Sequence, residues 1–518
     1  MNGADRLCDV LLANGIDVCF ANPGTSEMHF VAALDRKPQM RCILGLFEGV
    51  VTAAADGYAR MADKPAATLL HLGPGLANGL ANLHNARRAR TPMVNVVGDH
   101  ATYHLKYDAP LTSDIESVAR PMSHWVGRAQ NASHIRAKAE EAYVAAVSSP
   151  GISTLILPAD AAWGEVADES LAPATLPARP EIEPSMLRRA VEALRSGRKT
   201  VLFLGGRAMR ADALAIAGRI AAGTGASLFT ERAARWERGA GRVFPKPVPY
   251  NIELAVAALE AFENAIVIGG RVPVGFFAYP GKPGFLLSDG CEVIELAGAE
   301  HDLYRVLETL ADELGPERLG PAQVGALTAR DLAAPMGDLT AAAISVAVAR
   351  ALPEGAILCD EAITSAGRFA ELAPNMAPHD HLPLTGGSIG IGIPLAAGAA
   401  VACPDRKVVA LQADGSGMYT VQGLWTQARE NLDVLTVVFS NRGYSILKGE
   451  MRNVGVNDFG RNARRMLEIE DPPLDWCALA KGMGVEAARA ETAEEFTKLF
   501  EAGLSHRGPF LIEACLAG

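Results

Sequence analysis

Short runs of apolar, β-branched residues recur along this chain, each set apart from the next by a longer stretch with helical periodicity. That alternation restricts the fold more than any other feature. Residues 17–22 (DVCFAN), 92–98 (PMVNVVG), 153–158 (STLILP), 200–206 (TVLFLGG), 265–270 (AIVIGG), 407–412 (KVVALQ) and 434–440 (VLTVVFS) are the strand candidates. Strands apolar on both sides are buried on both faces, which points to parallel sheets covered by helices and an α/β class. A chain of 518 residues is too long for one core, and about three domains are expected. Residues 165–184, rich in Pro, Ala and acids without periodicity, read as a linker. A second polar stretch, 314–338, precedes a helix expected from about Leu339. The resulting division is 1–164, 183–325 and 335–518.

With 49% hydrophobic and 21% charged residues, the chain should form well-buried cores rather than remain disordered. A formal net charge of −11 argues against nucleic acid as a partner. The eight cysteines include no C-x-x-C pair and read as thiols of a reducing compartment, not as a zinc site or disulfide framework. The N-terminus lacks a basic segment followed by an apolar one, and the most apolar stretch, Ile389 to Cys403, is too short to span a bilayer. The expected location is therefore cytoplasmic, with no membrane partner.

The densest chemistry lies in residues 410–447. A strand ends at Gln412, Asp414 and Gly415 follow, a helix runs on from about Thr420, and the strand 434–440 delivers Asn441, Arg442 and Gly443. The carboxyl ends of parallel strands form the ligand crevice, so the two polar clusters can converge. The carboxylate of Asp414, the side-chain carbonyl of Asn441 and the backbone carbonyl of Gly443 are hard oxygen donors of the kind Mg²⁺ prefers. Gly415 and Gly417 permit close approach, and free N–H groups at the following helix start favour a diphosphate. A D-G-S turn alone is more often only a turn with a cap.

The spacing adds specificity. This segment resembles the thiamin diphosphate motif, G-D-G followed by a gap and N-N, with residues 416–439 as the gap. Ala413 replaces the first Gly and Ser440 the first Asn, while Asp414 and Asn441 are retained. The resemblance implies cofactor contacts from Gly415, Ser416 and Tyr444. It also demands an N-terminal glutamate, and residues 45–61 (GLFEGVVTAAADGYARM) offer Glu48 at the start of an apolar helix. Thiamin needs its aminopyrimidine N1′ held by a carboxylate so that the 4′-amino group can take the C2 proton, and an apolar setting suits that proton sharing. Taken singly, Glu48 would be read as complementing a helix dipole.

Residues 20–27 (FANPGTSE) and 69–99, where His71 ends a strand before a Gly-rich loop, resemble the pyrimidine-binding part of the same family. Within it the chain is most similar to benzoylformate decarboxylases, then to acetolactate synthase large subunits. The first resemblance places Thr25 at a substrate-carboxylate hydroxyl and His71 at the first catalytic histidine. Ile389 takes the place of the bulky residue that bends the cofactor, and the Gly387 backbone faces its 4′-amino group. The second active-site histidine should fall in VGFFAYPG (274–281), where this chain has Phe276 and Phe277. His100, His104, His379 and His381 are candidate substitutes. No flavin is expected, because LGGRAMRADA (204–213) lacks a full G-x-G-x-x-G.

The resemblance thus implies three doubly wound domains (pyrimidine-binding, middle and diphosphate-binding), with thiamin diphosphate and Mg²⁺ as cofactors. It also implies a homodimer at least, commonly a homotetramer, in which Glu48 and Asp414 of one site come from different subunits. The implied reaction is decarboxylation of a 2-oxo acid to a C2-enamine, which is protonated to an aldehyde or joined to a second carbonyl. An acetolactate synthase-like condensation and a non-catalytic diphosphate-binding homologue are the alternatives.

Overall fold

The structure is a computed structural model, and it describes every residue except 367 and 518. Three sheets account for its strands. The N-terminal sheet comprises β1 (Val18–Asn22), β2 (Arg41–Leu44), β3 (Ala66–Leu70), β4 (Met93–Asp99), β5 (Trp125–Arg128) and β6 (Ile152–Pro158), all parallel, in the order β2-β1-β3-β4-β6-β5. The next residues supply β7 (Thr200–Leu204), β8 (Ser227–Thr230), β9 (Trp236–Arg238), β10 (Lys246–Pro247), β11 (Asn264–Ile268) and β12 (Glu292–Ala297). All but β9 form the middle sheet, in the order β10-β8-β7-β11-β12. The C-terminal sheet comprises β13 (Ile357–Glu361), β14 (His379–Pro383), β15 (Val408–Ala413), β16 (Val434–Ser440), β17 (Glu486–Ala490) and β18 (Phe510–Cys515), ordered β17-β18-β16-β15-β13-β14-β9.

The expectation of purely parallel sheets fails at one edge. Strand β9 leaves the middle region and pairs antiparallel with β14, through Arg238, Glu237 and Trp236 opposite His379, Asp380 and His381. Charge holds it there: Arg235, just before β9, binds Asp380 at 2.5 Å. The linker stretch 165–183 carries no helix or strand beyond an isolated bridge at Glu165, and the next helix starts at Pro184. Among the described residues, no helix is long and apolar enough to cross a membrane.

Within the sheets the strand order switches direction between β1 and β3, between β7 and β11, and between β13 and β15. Such reversals open a crevice at the carboxyl ends of the flanking strands. Thr25 and His71 follow β1 and β3, and Asp414 follows β15.

The N-terminal and C-terminal sheets share one hydrophobic core, in which Val51, Ala54 and Tyr58 pack with Ile391, Leu395 and Ala399. The helices Glu48–Ala62 and Gly392–Ala402 meet there almost backbone to backbone. A Cβ on Gly57 would collide with the Leu395 carbonyl, and one on Gly398 with that of Ala54. The middle sheet has cores of its own, around Leu202 and around Val201.

His379 and His381 lie on β14 inside the C-terminal sheet, both buried. Burial drives His379 well below the ordinary histidine value and His381 down to about 4, with Arg238 nearby adding to both. The unfolded chain therefore takes up these protons first as pH falls. Stability is complete above the free imidazole value of 6.5 and is lost toward about 4. His381 alone should cost roughly 3 kcal/mol across that window, at about 1.4 kcal/mol per pH unit. Melting temperatures taken from pH 7 to pH 4.5 should fall steeply, and less so in His381→Gln; equal slopes would remove His381 as the cause.

Candidate active site

At the N-terminal switch point, Glu48 begins its helix just beyond β2 and is 8% exposed. Asn78 donates to its Oε2 at 3.0 Å, and no cation pairs with it among the described residues. His71 caps the helix Leu72–Ala89. The two side chains converge on Gly75: a Cβ there would lie 2.8 Å from Glu48 Oε1 and 3.2 Å from His71 Cβ, so glycine leaves the room they need. The Gly73-Pro74-Gly75 run was expected to be a loop, yet it forms the first turn of this helix. A first-turn proline forfeits no intrahelical bond, since its N–H would be unsatisfied in any case.

His71 is oriented by a residue that sequence reasoning missed. Glu27 is 2% exposed and accepts from His71 Nδ1 at 2.7 Å, from the Gly24 N–H at 2.7 Å and from Ser26 Oγ at 2.8 Å. A carboxylate at Nδ1 places the proton there and leaves Nε2 as the free nitrogen. Thr25, expected as a substrate contact, is exposed at the start of the turn Thr25–Glu27. His100 packs against His104, at 5.6 Å between ring centres, and its Nε2 is buried without a partner.

At the C-terminal switch point, Asp414 is 2% exposed. Its Oδ1 accepts from the Gly415 N–H at 2.8 Å and its Oδ2 from the Arg442 N–H at 2.6 Å. Burial raises its pKa, and these backbone donors oppose the rise only in part. A buried anion whose charge no side chain balances is suited to a cation. Asn441 Oδ1 accepts from the Gly443 N–H at 3.0 Å, closing the turn that carries the Gly443 carbonyl. Strand β15 runs to Ala413, one residue past the expected end, and the helix after it is broken into Asp414–Gly417, Met418–Thr420 and Gly423–Arg429. The Tyr444 ring lies against Gly415, where a Cβ would meet it at 2.6 Å. The Ser416 hydroxyl turns inward, donating to Ala413 O at 3.2 Å and accepting from Gln412 at 3.1 Å, which leaves its backbone N–H as the group it can offer.

The loop 385–392 joins the two ends. Glu361, at the end of β13, is fully buried; it accepts from the Gly390 N–H at 2.6 Å, the Gly392 N–H at 2.7 Å and Gln412 Nε2 at 3.0 Å. On the other side, Asn85 grips Ser388 O at 2.7 Å, and Asn82 donates to both Gly49 O at 2.9 Å and Gly390 O at 3.3 Å. Asn78, Asn82 and Asn85 sit at i, i+4 and i+7 on this helix, a polar stripe that the sequence displayed. Gly387 has φ 80°, and a Cβ on it would meet the Phe276 ring at 2.7 Å. Phe276 thus reaches the loop from the segment between β11 and β12, with Phe277 packed on it at 4.8 Å between ring centres, and Ile389 is half-buried. No hydrogen bond or ion pair within the chain joins Glu48 to Asp414 among the described residues.

Comparison with known proteins bears on these clusters directly. The N-terminal TPP binding domain of thiamine pyrophosphate enzymes matches residues 1–121, and the C-terminal TPP binding domain matches 364–514. IlvX of Mycobacterium tuberculosis, provisionally named an acetolactate synthase large subunit, is 50% identical over 99% of this chain and 98% of its own. Benzoylformate decarboxylase of Pseudomonas aeruginosa is 26% identical over 98% of this chain and 97% of its own. In fold the chain is similar to a thiamine diphosphate-dependent 4-hydroxybenzoylformate decarboxylase of Rhodococcus jostii, with TM-score 0.85, 24% identity and coverage of 100% and 99%. The protein is a thiamin diphosphate-dependent enzyme, and it belongs to the thiamine pyrophosphate enzyme family.

Proposed function

We propose that the enzyme is a Mg²⁺-dependent 2-oxo-acid decarboxylase or carboligase, acting at least as a homodimer. The observation that carries this reading is the pairing of two buried, cation-free carboxylates at two switch points: Glu48, held by a neutral amide, and Asp414, set among oxygen donors. The donor set fits its groups. Asp414, Asn441 Oδ1 and the Gly443 carbonyl would hold Mg²⁺; Gly415, Ser416 and Tyr444 would flank the diphosphate; Ile389 and Gly387 would shape the pyrimidine end. Bound there, thiamin diphosphate supplies the carbanion and the electron sink that accepts the electron pair left by CO₂.

The chain's own residues then have separate tasks. Glu48 shares a proton with the pyrimidine ring. His71, aligned by Glu27, presents Nε2 toward the substrate, and Thr25 offers a hydroxyl to its carboxylate. Phe276 and Phe277 bring no proton donor, which favours attack on a second carbonyl over protonation. That is the specific argument for the acetolactate synthase-like alternative, and the name borne by IlvX agrees with it.

Product analysis tests the reading, with pyruvate, benzoylformate and branched 2-oxo acids supplied in turn together with Mg²⁺ and thiamin diphosphate. Aldehyde from an aromatic acid supports simple decarboxylation, acetolactate from pyruvate supports condensation, and no CO₂ from these or from 2-oxo acids with a second anionic group defeats both. Glu27→Gln should lower kcat about ten- to a hundredfold by releasing the His71 tautomer, while changing KM less. An unaltered pH–rate profile in that variant would deny Glu27 its positioning role.

A further inference from the structure

The middle sheet also has a switch point, and no group described so far uses it. A cavity of about 700 Å³ lies there, running from Gly205–Gly206 and Gly269–Gly270, at the ends of β7 and β11, to the Thr385–Ser388 loop. Its charge is one-sided. Arg88, Arg90, Arg232 and Arg271 all line it against two acids, Glu231 and Asp63, and among the described residues Arg90 is the one of these four arginines in an ion pair, with Glu300 at 3.9 Å. Arg210 binds Asp63 through Nη2 at 2.7 Å, while its buried Nε and Nη1 have no partner among the described residues. Arg271 is depressed by burial and then by repulsion from Arg90 and Arg88, so these guanidinium groups crowd one another. Glu231, the acid nearest that cluster, is itself pushed up by burial.

Cations gathered in a half-enclosed cavity are stable together only at a cost, which a multiply charged anion removes. Guanidinium groups with free N–H donors are suited to carboxylate and phosphate. The near end of the cavity is the Gly387 loop itself, where Phe276 lies against Gly387 and the Arg232 guanidinium stands 4.2 Å from the Phe276 ring centre. A molecule filling the cavity would therefore have one end at the proposed reaction centre and the other among arginines.

We propose that this cavity is the substrate channel, and that the substrate is a 2-oxo acid bearing a second anionic group, a carboxylate or a phosphonate, held by Arg88 and Arg271 while its 2-oxo end lies at Gly387. The inference rests on the cofactor reading above.

The test uses the full chain loaded with thiamin diphosphate and Mg²⁺. CO₂ release is compared for 2-oxoglutarate, 2-oxoadipate and phosphonopyruvate against pyruvate and benzoylformate, in the wild type and in Arg88→Ser/Arg271→Ser. Both arginines are exposed, so the double variant should fold. A dianion is expected to exceed the monoanions in kcat/KM at least tenfold, and the double variant to erase that ratio. The arms with carboxylate and phosphonate tails distinguish which anion is read. Equal ratios in both proteins, or preference for a monoanion, would overturn the proposal. So would arginine-dependent binding of ADP that fails to compete with any 2-oxo acid, because the cavity would then hold a resident nucleotide. Calorimetric binding of 2-oxoadipate separates the two levels: arginine-dependent binding without CO₂ release upholds the channel and defeats the decarboxylase reading alone.

Discussion

Glu48→Gln is expected to bind thiamin diphosphate nearly as the wild type does and to exchange the cofactor's C2 proton about 10²–10⁴-fold more slowly. The geometry explains the separation. Glu48 is held by one neutral donor, Asn78 Nδ2 at 3.0 Å, which glutamine can retain through its own carbonyl. What glutamine cannot do is share a proton with the pyrimidine nitrogen. Gly75 leaves the carboxylate just enough space, so the isosteric replacement should not disturb the helix start. Rapid-quench exchange followed by proton NMR reads the effect. Exchange at the wild-type rate would end the assignment of Glu48 as pyrimidine activator.

Asp414→Ala should weaken Mg²⁺-dependent cofactor binding by a hundredfold or more, about 2.7 kcal/mol or greater. Two losses combine. The charge that would hold the metal disappears, and so does the acceptor that fixes the Arg442 N–H at 2.6 Å, on which the turn to Gly443 depends. Arg442 has φ 57°, a conformation that an ordinary side chain adopts only when its surroundings impose it. Asp414→Asn separates the losses, since it can keep the turn while removing the charge. Fluorescence titration with thiamin diphosphate, with and without Mg²⁺, measures both variants. Wild-type affinity in Asp414→Ala would disprove the anchor.

The strands were legible because both their faces are buried, which leaves an uninterrupted apolar run: seven segments read from the sequence all became strands, with ends shifted by no more than two residues. The edge strand Trp236–Arg238 was not legible. Its place depends on Arg235 meeting Asp380, a pairing 145 residues long that no local pattern encodes. The helix through Gly73-Pro74-Gly75 was misread because turn chemistry and first-turn helix chemistry use the same residues. In the candidate site, Glu48, His71 and Asp414 stood out because motif and spacing mark them. Glu27 did not, since the histidine it orients stands 44 residues along the chain, and Glu361 did not, since it accepts backbone N–H groups from a loop that only the fold brings near. The asparagine stripe at 78, 82 and 85 was visible as periodicity, but its partners were not.

The core shared by the two outer sheets bears on how this enzyme comes apart. Helices that touch through bare backbone at Gly57 and Gly398 have no side-chain layer that can loosen gradually. On heating, the outer two-thirds of the molecule should therefore melt as one calorimetric unit, with the middle sheet free to follow a transition of its own. Proteolytic fragments ending in the 165–183 stretch would expose half of a core on each piece, so neither cofactor-gripping half is expected to outlive the other.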